Sequence, residues 1–220
     1  MSLIVFDLDG TFAHTAPDLL DSLNHCLTLV DLPPADPVSL MRYVGHGGRV
    51  MIERAMQARG RTVGAADLER LMGSFISHYV EGMPGKTKPF DGALDVLDTF
   101  DTAGWIHAIC TNKFEGMSKQ LLADMGHAGR FKAICGQDTF AFKKPDPRHL
   151  TETIRMAGGD PDRAIMVGDS ITAGYIPTAG VLQLRQDLSY TADVAQLGDV
   201  VTAAVAGAST LVAAPAIAQA

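Results

Sequence analysis

Short apolar runs recur along the chain, and each of them ends in polar or glycine residues. The runs cover residues 3–6, 105–110, 131–135 and 164–167. Amphipathic helical patterns lie between the later runs, over residues 92–103, 115–125 and 147–157. Apolar runs that alternate with helices are typical of βαβ units, which build parallel sheets. The pattern therefore predicts an α/β fold, with a Rossmann-like parallel sheet covered by helices on both faces.

The long segment between the first two apolar runs contains helical patterns only. These patterns cover residues 17–30, 38–43, 49–59 and 65–82. Proline and glycine residues separate them, because both residue types interrupt helices. We therefore predict that an α/β core of residues 1–14 and 87–220 is interrupted by an all-helical unit of residues 15–86.

Acidic and polar side chains follow three of the predicted strands. They are Asp7 and Asp9 after the first strand, Thr111 and Asn112 after the second, and Asp169 after the fourth. Because the carboxyl ends of parallel strands meet at one edge of a sheet, we expect these residues to share a site. Two carboxylates this close repel each other unless a divalent cation lies between them, and clustered oxygen ligands suit Mg²⁺. An isolated pair of aspartates is more often part of a solvated loop, so the neighbouring residues decide the interpretation.

The neighbouring residues fit the needs of phosphoryl transfer. A carboxylate can act as a nucleophile and form an acyl-phosphate, and the transferring group needs donors and positive charge around its oxygens. Thr111 and Asn112 provide neutral donors, whereas Lys144 provides a fixed positive charge. Gly10 allows the backbone to turn close to a ligand, and Thr11 offers a hydroxyl and an amide. A single lysine is more often a solvated surface group, so Lys144 indicates a functional site only in combination with the aspartates.

Charge and composition narrow the classes of partner. The 220 residues carry a formal net charge of −7, with 47% hydrophobic and 20% charged residues. Nucleic acids and anionic membranes attract basic surfaces, so we expect neither as a partner. The three cysteines form no C-x-x-C pair, and Asp7 and Asp9 interrupt the only apolar N-terminal stretch, so neither a disulfide framework nor a signal peptide is indicated. We expect a cytoplasmic monomer or homodimer that holds its phosphate ligand with local cations.

In chain order, four segments resemble the sequence motifs of the haloacid dehalogenase superfamily. The segments are residues 7–11, 111–113, 144–145 and 168–170. The helical unit resembles the class 1 cap of that superfamily. The resemblance implies that Asp7 is the nucleophile and that Asp9 acts first as general acid and then as general base. It also implies that Thr111, or Asn112 beside it, and Lys144 hold the phosphate.

The same resemblance implies a metal site. Mg²⁺ would be bound by the Asp7 carboxylate, the backbone carbonyl of Asp9, Asp169 and water molecules. The retention of Asp9 separates this chain from the dehalogenase branch of the superfamily, which does not need an acid/base carboxylate at that position.

Three further stretches resemble bacterial phosphoglycolate phosphatases. The stretches are residues 16–22, 43–49 and 143–147. In the related enzymes, a glycine-bearing cap loop closes over the substrate. The implied substrate contacts are Gly45, His46, Gly47 and Arg49, in addition to Gly10 and Thr11 near the nucleophile. Arg49 could bind a substrate carboxylate. The alternative is that this loop only separates two helices and that Arg49 is solvated.

These features predict a Mg²⁺-dependent phosphatase, a phosphoric monoester hydrolase that acts on a small phosphorylated metabolite through a phospho-aspartate. Phosphoglycolate is the favoured substrate. A sugar phosphomutase with the same core and cap is one alternative, and a catalytically weakened phosphometabolite-binding protein is another. The second alternative is motivated by Ala173, which stands where the superfamily usually has a second acid, four residues after Asp169. Beyond Gly180, residues 181–190 suggest a further strand.

The acid that Ala173 replaces would orient the ligands and waters of a bound metal ion. We therefore expect Ala173→Asp to raise either the activity or the Mg²⁺ affinity, the latter by about tenfold or more, since such outer contacts change metal affinity by roughly 10–100-fold. Phosphate release is measured as a function of Mg²⁺, with Ala173→Asn as the uncharged control. An unchanged activity and Mg²⁺ dependence in the aspartate variant would show that waters or another residue already fill this role.

Overall fold

A computed structural model describes residues 1–37, 43 and 47–168, together with the backbone of residues 180–183. Five parallel strands form one sheet in the order β3-β2-β1-β4-β5. The strands are β1 (Leu3–Phe6), β2 (Ile106–Cys110), β3 (Ala133–Cys135), β4 (Ala164–Gly168) and β5 (Gly180–Gln183). The predicted α/β fold with a parallel sheet is therefore confirmed. β5 matches the start of the further strand suggested beyond Gly180, and the rest of that stretch lies outside the described residues.

Six α-helices occupy the described residues. They are α1 (Ala16–Thr28), α2 (Gly48–Gln57), α3 (Ala65–Gly82), α4 (Ala93–Thr102), α5 (Glu115–Asp124) and α6 (Pro147–Met156). Each of them falls within two residues of a predicted helix at both ends. The predicted helix over residues 38–43 lies outside the described residues except for Tyr43, which is in a turn.

The third strand is shorter than the sequence predicts. The apolar run begins at residue 131, but Phe131 closes a 3₁₀ turn over Ala128–Arg130, since its N–H bonds the carbonyl of Ala128. The ladder with β2 starts only at Ala133, which pairs with Ala108. A hydrophobic run alone therefore overestimates the strand by two residues, because the turn uses the N–H of Phe131, while the N–H of Lys132 bonds the carbonyl of His107 just before the paired residues begin.

The sheet has an apolar cluster on each face. Successive strand residues point to opposite faces, so Ile4 and Phe6 pack on one side of β1, and Leu3 and Val5 pack on the other. Helices α4 and α5 cover the first cluster, and α6 covers the second. As a result β1 is completely buried between β2 and β4, and its carboxyl end lies in the middle of the sheet edge.

The first three helices bury a core of their own. The members of this cluster include Leu23 and Cys26 from α1, Met51 and Ile52 from α2, and Leu71, Phe75 and Tyr79 from α3. Asp18, near the start of α1, accepts hydrogen bonds from the N–H of Lys86 at 2.9 Å and from the hydroxyl of Thr87 at 2.6 Å. The two chain connections between these helices and the sheet are thus tied to each other by hydrogen bonds.

The cysteines are buried thiols. Cys26, Cys110 and Cys135 form no disulfide. Burial raises the pKa of Cys110 to about 12 and that of Cys26 to about 11, so both are protonated and unreactive at neutral pH. No helix within the described part of the chain is both long enough and apolar enough to cross a membrane.

Gly136, just after β3, lies directly against the loop that follows β2. A Cβ atom at Gly136 would come within 2.2 Å of the Glu115 nitrogen and 2.5 Å of the Lys113 carbonyl oxygen. Both are backbone atoms, which cannot rotate away as a flexible side chain can. The absence of a side chain at Gly136 therefore allows the two loops at this sheet edge to touch.

We expect Gly136→Ala to lower the free energy of unfolding by about 1–3 kcal/mol, as overpacking does elsewhere. Gly116→Ala is the matched control, because a Cβ atom at Gly116 meets nothing within 4 Å. That control, within helix α5, should retain or raise stability by up to about 1 kcal/mol. Urea unfolding followed by circular dichroism compares the three chains, and a fully stable Gly136→Ala variant would contradict the close contact.

Candidate active site

The carboxyl ends of β1 and β2 bring the predicted site residues together. The N–H of Asp7 bonds the carbonyl of Val167 in β4 at 2.9 Å, and the N–H of Thr111 bonds the carbonyl of Cys135 in β3 at 3.0 Å. The parallel ladder therefore continues one residue past each strand and fixes the first polar residue after it. Asp169 lies outside the described residues, directly after the last residue of β4.

Asp7 forms a buried ion pair with Lys144. The Lys144 Nζ atom lies 2.6 Å from Oδ2 of Asp7, and both side chains are almost inaccessible to solvent. The other carboxylate oxygen, Oδ1, accepts the N–H of Leu8 at 2.7 Å. The Asp7 carboxylate is thus held in one orientation by contacts to both of its oxygens.

The loop that carries Lys144 is anchored from both sides. The Asn112 side-chain amide donates to the Lys144 carbonyl at 3.1 Å, and the Lys144 N–H donates to Nδ1 of His149 at 3.1 Å. His149 is fully buried in α6. Asn112 therefore holds the loop that positions Lys144. The hydroxyl of Thr111 accepts a hydrogen bond from the N–H of Lys113 at 3.2 Å.

Asp9 forms a second buried ion pair, with Lys113. The Lys113 Nζ atom lies 3.0 Å from Oδ1 of Asp9 and 4.4 Å from the centre of the Tyr79 ring. Burial alone lowers the pKa of Lys113, but the neighbouring carboxylate and Tyr79 outweigh it and hold the pKa above its ordinary value. Lys113 is therefore a cation at any physiological pH.

A cavity of about 370 Å³ opens above the two aspartates. Its polar lining includes Asp7, Asp9, Thr111, Asn112 and Lys113. Its apolar lining consists of Leu19, Val50, Met72, Phe75, Ile76, Phe114 and Met117. All but the last two of these apolar residues come from the helical unit. The cavity therefore has a charged floor on the sheet edge and an apolar wall on the helices, a volume and lining usual for small-molecule sites.

The chain is similar to known hydrolases. Residues 4–174 match the family described as haloacid dehalogenase-like hydrolase. A phosphoglycolate phosphatase of Mesorhizobium japonicum is 53% identical over 190 residues, which cover 86% of this chain and 84% of the relative. A phosphoglycolate phosphatase of Agrobacterium fabrum is 47% identical, over 77% of this chain and 72% of the relative. The chain belongs to the haloacid dehalogenase-like hydrolase family.

A solved structure supports the same assignment. The crystal structure of a predicted phosphoglycolate phosphatase from Haemophilus somnus 129PT superposes with a TM-score of 0.75 at 25% identity, covering 90% of this chain and 91% of that one. The resemblance seen in the four motifs is therefore confirmed, as is the predicted enzyme class, a phosphoric monoester hydrolase of the haloacid dehalogenase type.

Two of the predicted substrate contacts form the turn that carries Asp9. Gly10 has a φ of 80°, which favours glycine, and its N–H bonds the carbonyl of Ala13 at 3.0 Å. Thr11 is buried, and its N–H bonds the carbonyl of Leu8. Among the described residues that line the cavity, neither of the two is included. In this hydrolase they hold the position of Asp9.

The predicted substrate loop is described only in part. Gly45 and His46 lie outside the described residues. Gly47 lines the cavity and has a φ of 88° just before helix α2 begins. Arg49 also lines the cavity, but its guanidinium pairs with Glu69 of α3 at 2.5 Å, and about half of its side chain is exposed. A ligand that binds the Arg49 guanidinium would therefore compete with Glu69.

Several site residues were missed by the sequence interpretation. Lys113 was recognised only as part of a motif, without a role, although it is the charge partner of Asp9. His149 and Tyr79 gave no signal at all, because a histidine or tyrosine on an amphipathic helix looks like an ordinary core residue. Lys143 also lines the cavity and donates to Gln137 at 3.0 Å, and the sequence indicated it only as part of the stretch 143–147, without a role.

The donor chemistry of the floor fits a magnesium ion. Asp7 provides a hard carboxylate oxygen and Asp9, two residues further on, provides a backbone carbonyl oxygen, and Mg²⁺ prefers such oxygen ligands over nitrogen or sulfur. Within the described ranges no three acidic, histidine or cysteine side chains converge on one point. The third predicted ligand, Asp169, belongs to the part of the chain that is not described. The two aspartates are therefore suitable as part of a magnesium site that Asp169 would complete.

His149 provides a test of how the lysine loop is held. Burial, followed by the charge of Lys144, lowers the pKa of His149, while Asp7 and Asp146 oppose the shift. Below pH 6.5 the unfolded chain takes up a proton at this histidine that the folded chain does not, so the free energy of unfolding falls as the pH falls.

We expect His149→Asn to lose less stability than the wild type between about pH 7 and about pH 5. The asparagine side chain keeps an acceptor near the position of Nδ1 but does not titrate. His14 and His107, whose pKa values are also lowered, titrate alike in both chains and cancel in the comparison. Urea unfolding at several pH values measures the slopes, and identical slopes would contradict a buried neutral His149.

Proposed function

We propose that this hydrolase is a Mg²⁺-dependent phosphatase that acts on 2-phosphoglycolate through a phospho-aspartate formed on Asp7. The observation that carries the proposal is the buried pair of Asp7 and Lys144, 2.6 Å apart, beside Asp9 at the floor of a small cavity. The substrate is inferred from the two relatives that are named phosphoglycolate phosphatase and are 53% and 47% identical.

In the proposed reaction, an oxygen of Asp7 attacks phosphorus and the bond from phosphorus to the ester oxygen breaks. Asp9 gives its proton to the leaving oxygen, and the product alcohol departs. A water molecule then attacks phosphorus while Asp9 accepts its proton, the bond from phosphorus to the Asp7 oxygen breaks, and inorganic phosphate leaves with the Asp7 carboxylate restored. The rigid hold on both Asp7 oxygens favours in-line attack, because a nucleophile that is already oriented loses little entropy in the transition state.

The charges of the described floor argue for a bound cation. While both carboxylates are ionised, Lys144 neutralises Asp7 and Lys113 neutralises Asp9, so these four groups together carry no net charge. A phosphate group entering such a floor gains little electrostatic stabilisation from it. Asp7, the Asp9 carbonyl and Asp169 are the residues that would hold Mg²⁺. When bound, the ion supplies positive charge to the oxygens of the transferring phosphoryl group.

The helical unit of residues 15–86 would act as the cap over the substrate. It provides the apolar wall of the cavity, together with Gly47 and Arg49. The carboxylate of 2-phosphoglycolate would replace Glu69 as the partner of Arg49. This exchange costs little, since an ion pair this exposed to solvent contributes little to stability. The three cysteines are buried and form no disulfide, which is consistent with the reducing environment of the cytoplasm.

Phosphate release from a panel of phosphomonoesters tests the proposal. The panel includes 2-phosphoglycolate, sugar phosphates and p-nitrophenyl phosphate, each with Mg²⁺ and with EDTA. We expect magnesium-dependent release with the highest kcat/KM for 2-phosphoglycolate. Release that EDTA leaves unchanged would contradict the metal-assisted mechanism. Interconversion of sugar phosphates without release would indicate a phosphomutase, and binding without turnover would indicate the weakened binding protein.

The nucleophile is tested by Asp7→Asn. We expect turnover to fall by at least roughly 10³-fold, since the amide cannot form the acyl-phosphate. Asp124→Asn, an exposed acid on α5, is the matched control and should retain full activity. Thermal unfolding checks that both variants fold, and an active, folded Asp7→Asn enzyme would remove Asp7 as nucleophile.

A further inference from the structure

Lys113 lies where the sheet edge, the helical unit and the proton-transfer group meet. We propose that Lys113 is a positioning residue for Asp9: its ammonium group, held against the ring of Tyr79, fixes one carboxylate oxygen and leaves the other to exchange the proton. The inference rests on the proposed function, in which Asp9 is the general acid and base.

The backbone of Lys113 is fixed before its side chain begins. Its N–H donates to the hydroxyl of Thr111 at 3.2 Å, and its carbonyl accepts the N–H of Gln137 at 2.9 Å. Gly136 lies in contact with the same carbonyl, where even a Cβ atom would not fit. A lysine side chain is long and flexible, so this rigid starting point is what allows it to act as a positioning group.

The two partners of the ammonium group leave it little freedom. Its Nζ atom lies 3.0 Å from Oδ1 of Asp9 and 4.4 Å from the centre of the Tyr79 ring, and the side chain is only 5% exposed. A buried cation is costly unless it is paired, and a ring face adds attraction where water is excluded.

Tyr79 connects this contact to the helical unit. It belongs to α3 and is 2% exposed, within the cluster that α1, α2 and α3 bury together. Lys113 belongs to the loop after β2, on the sheet edge. The ion pair between Lys113 and Asp9 is therefore supported by a residue of the helical unit. A change in the contact between Tyr79 and Lys113 would consequently alter the position of Asp9, because Lys113 contacts both residues.

Lys144 and Lys113 have different tasks in this arrangement. Lys144 contacts the nucleophile, and its loop is held by Asn112 and His149 of the core. Lys113 contacts the acid/base group, and its ring partner comes from the helices. Because Lys113 occupies Oδ1 of Asp9, the proton passes between Oδ2 and the ester oxygen: the Oδ2–H bond breaks as the new O–H bond of the alcohol forms.

The test compares substrates that differ in their need for that proton. An alkoxide leaves poorly unless it is protonated, whereas p-nitrophenolate leaves as a stable anion. We expect Lys113→Met to lower kcat/KM by at least about 100-fold for 2-phosphoglycolate, or for the best alkyl ester of the wild type, and by less than about tenfold for p-nitrophenyl phosphate. Equal losses on the two esters, or no loss on either, would overturn the proposal.

A double-mutant cycle shows whether Lys113 acts through Asp9. Asp9→Asn should give the same dependence on the leaving group, and adding Lys113→Met to it should cause no further loss. Additive losses would mean that Lys113 acts on the substrate directly, which overturns the positioning role. If wild type hydrolyses no ester, the proposed function fails. If Asp9→Asn shows the leaving-group effect and Lys113→Met does not, only the inference about Lys113 fails.

Conservative variants separate this role from folding. Lys113→Arg should recover at least part of the alkyl ester activity, because it keeps the charge. Tyr79→Phe keeps the ring and should retain the wild-type ratio of the two esters, whereas Tyr79→Leu should move that ratio towards Lys113→Met. Lys132→Met removes an exposed lysine and serves as the matched control. An unchanged ester ratio in a folded Tyr79→Leu enzyme would remove Tyr79 from the proposal.

Discussion

The rest of the site depends on a completely buried central strand that ends in two carboxylates. β1 is hydrogen-bonded to β2 on one side and β4 on the other, so its end cannot move by itself. Asp7 and Asp9 consequently lie in a region from which water is largely excluded. Unpaired charges are expensive there, and each carboxylate has a lysine beside it. The surrounding loops place these two lysines beside the carboxylates. Gly136 lies against the carbonyl of Lys113, and His149 accepts the N–H of Lys144.

The two ion pairs belong to different parts of the structure. The Asp7 pair is built entirely from the sheet and the loops around it, which under the proposed mechanism suits a nucleophile that must keep one orientation. The Asp9 pair contacts the helical unit through Tyr79. The same helices supply the apolar wall of the cavity, so under that mechanism the substrate contacts and the position of the acid/base group would depend on one packing interface.

The sequence patterns predict the fold and most of the residues that meet at the sheet edge. Strand and helix patterns have a local periodicity, so β1, β2 and β4 were found nearly complete, and β3 was overestimated only where a 3₁₀ turn competes with the ladder. Asp7, Asp9, Thr111 and Asn112 were predicted to meet because the carboxyl ends of neighbouring parallel strands must meet. Lys144 was predicted from its motif, and the structure adds the contacts that hold its loop.

The sequence by itself determined the elements, their order and the residues that the sheet delivers to one edge, since periodicity and chain order are properties of neighbouring residues. Only the tertiary structure decided that Lys113 pairs with Asp9, that Tyr79 supports it, and that Arg49 pairs with Glu69. These contacts join residues 20 or more positions apart on different elements, and each depends on the direction in which a side chain leaves its own helix or loop. A lysine between Asn112 and Phe114 has no local pattern that distinguishes a solvated side chain from a buried one. Packing between the helices and the sheet edge makes that distinction, because it removes water from around the charge.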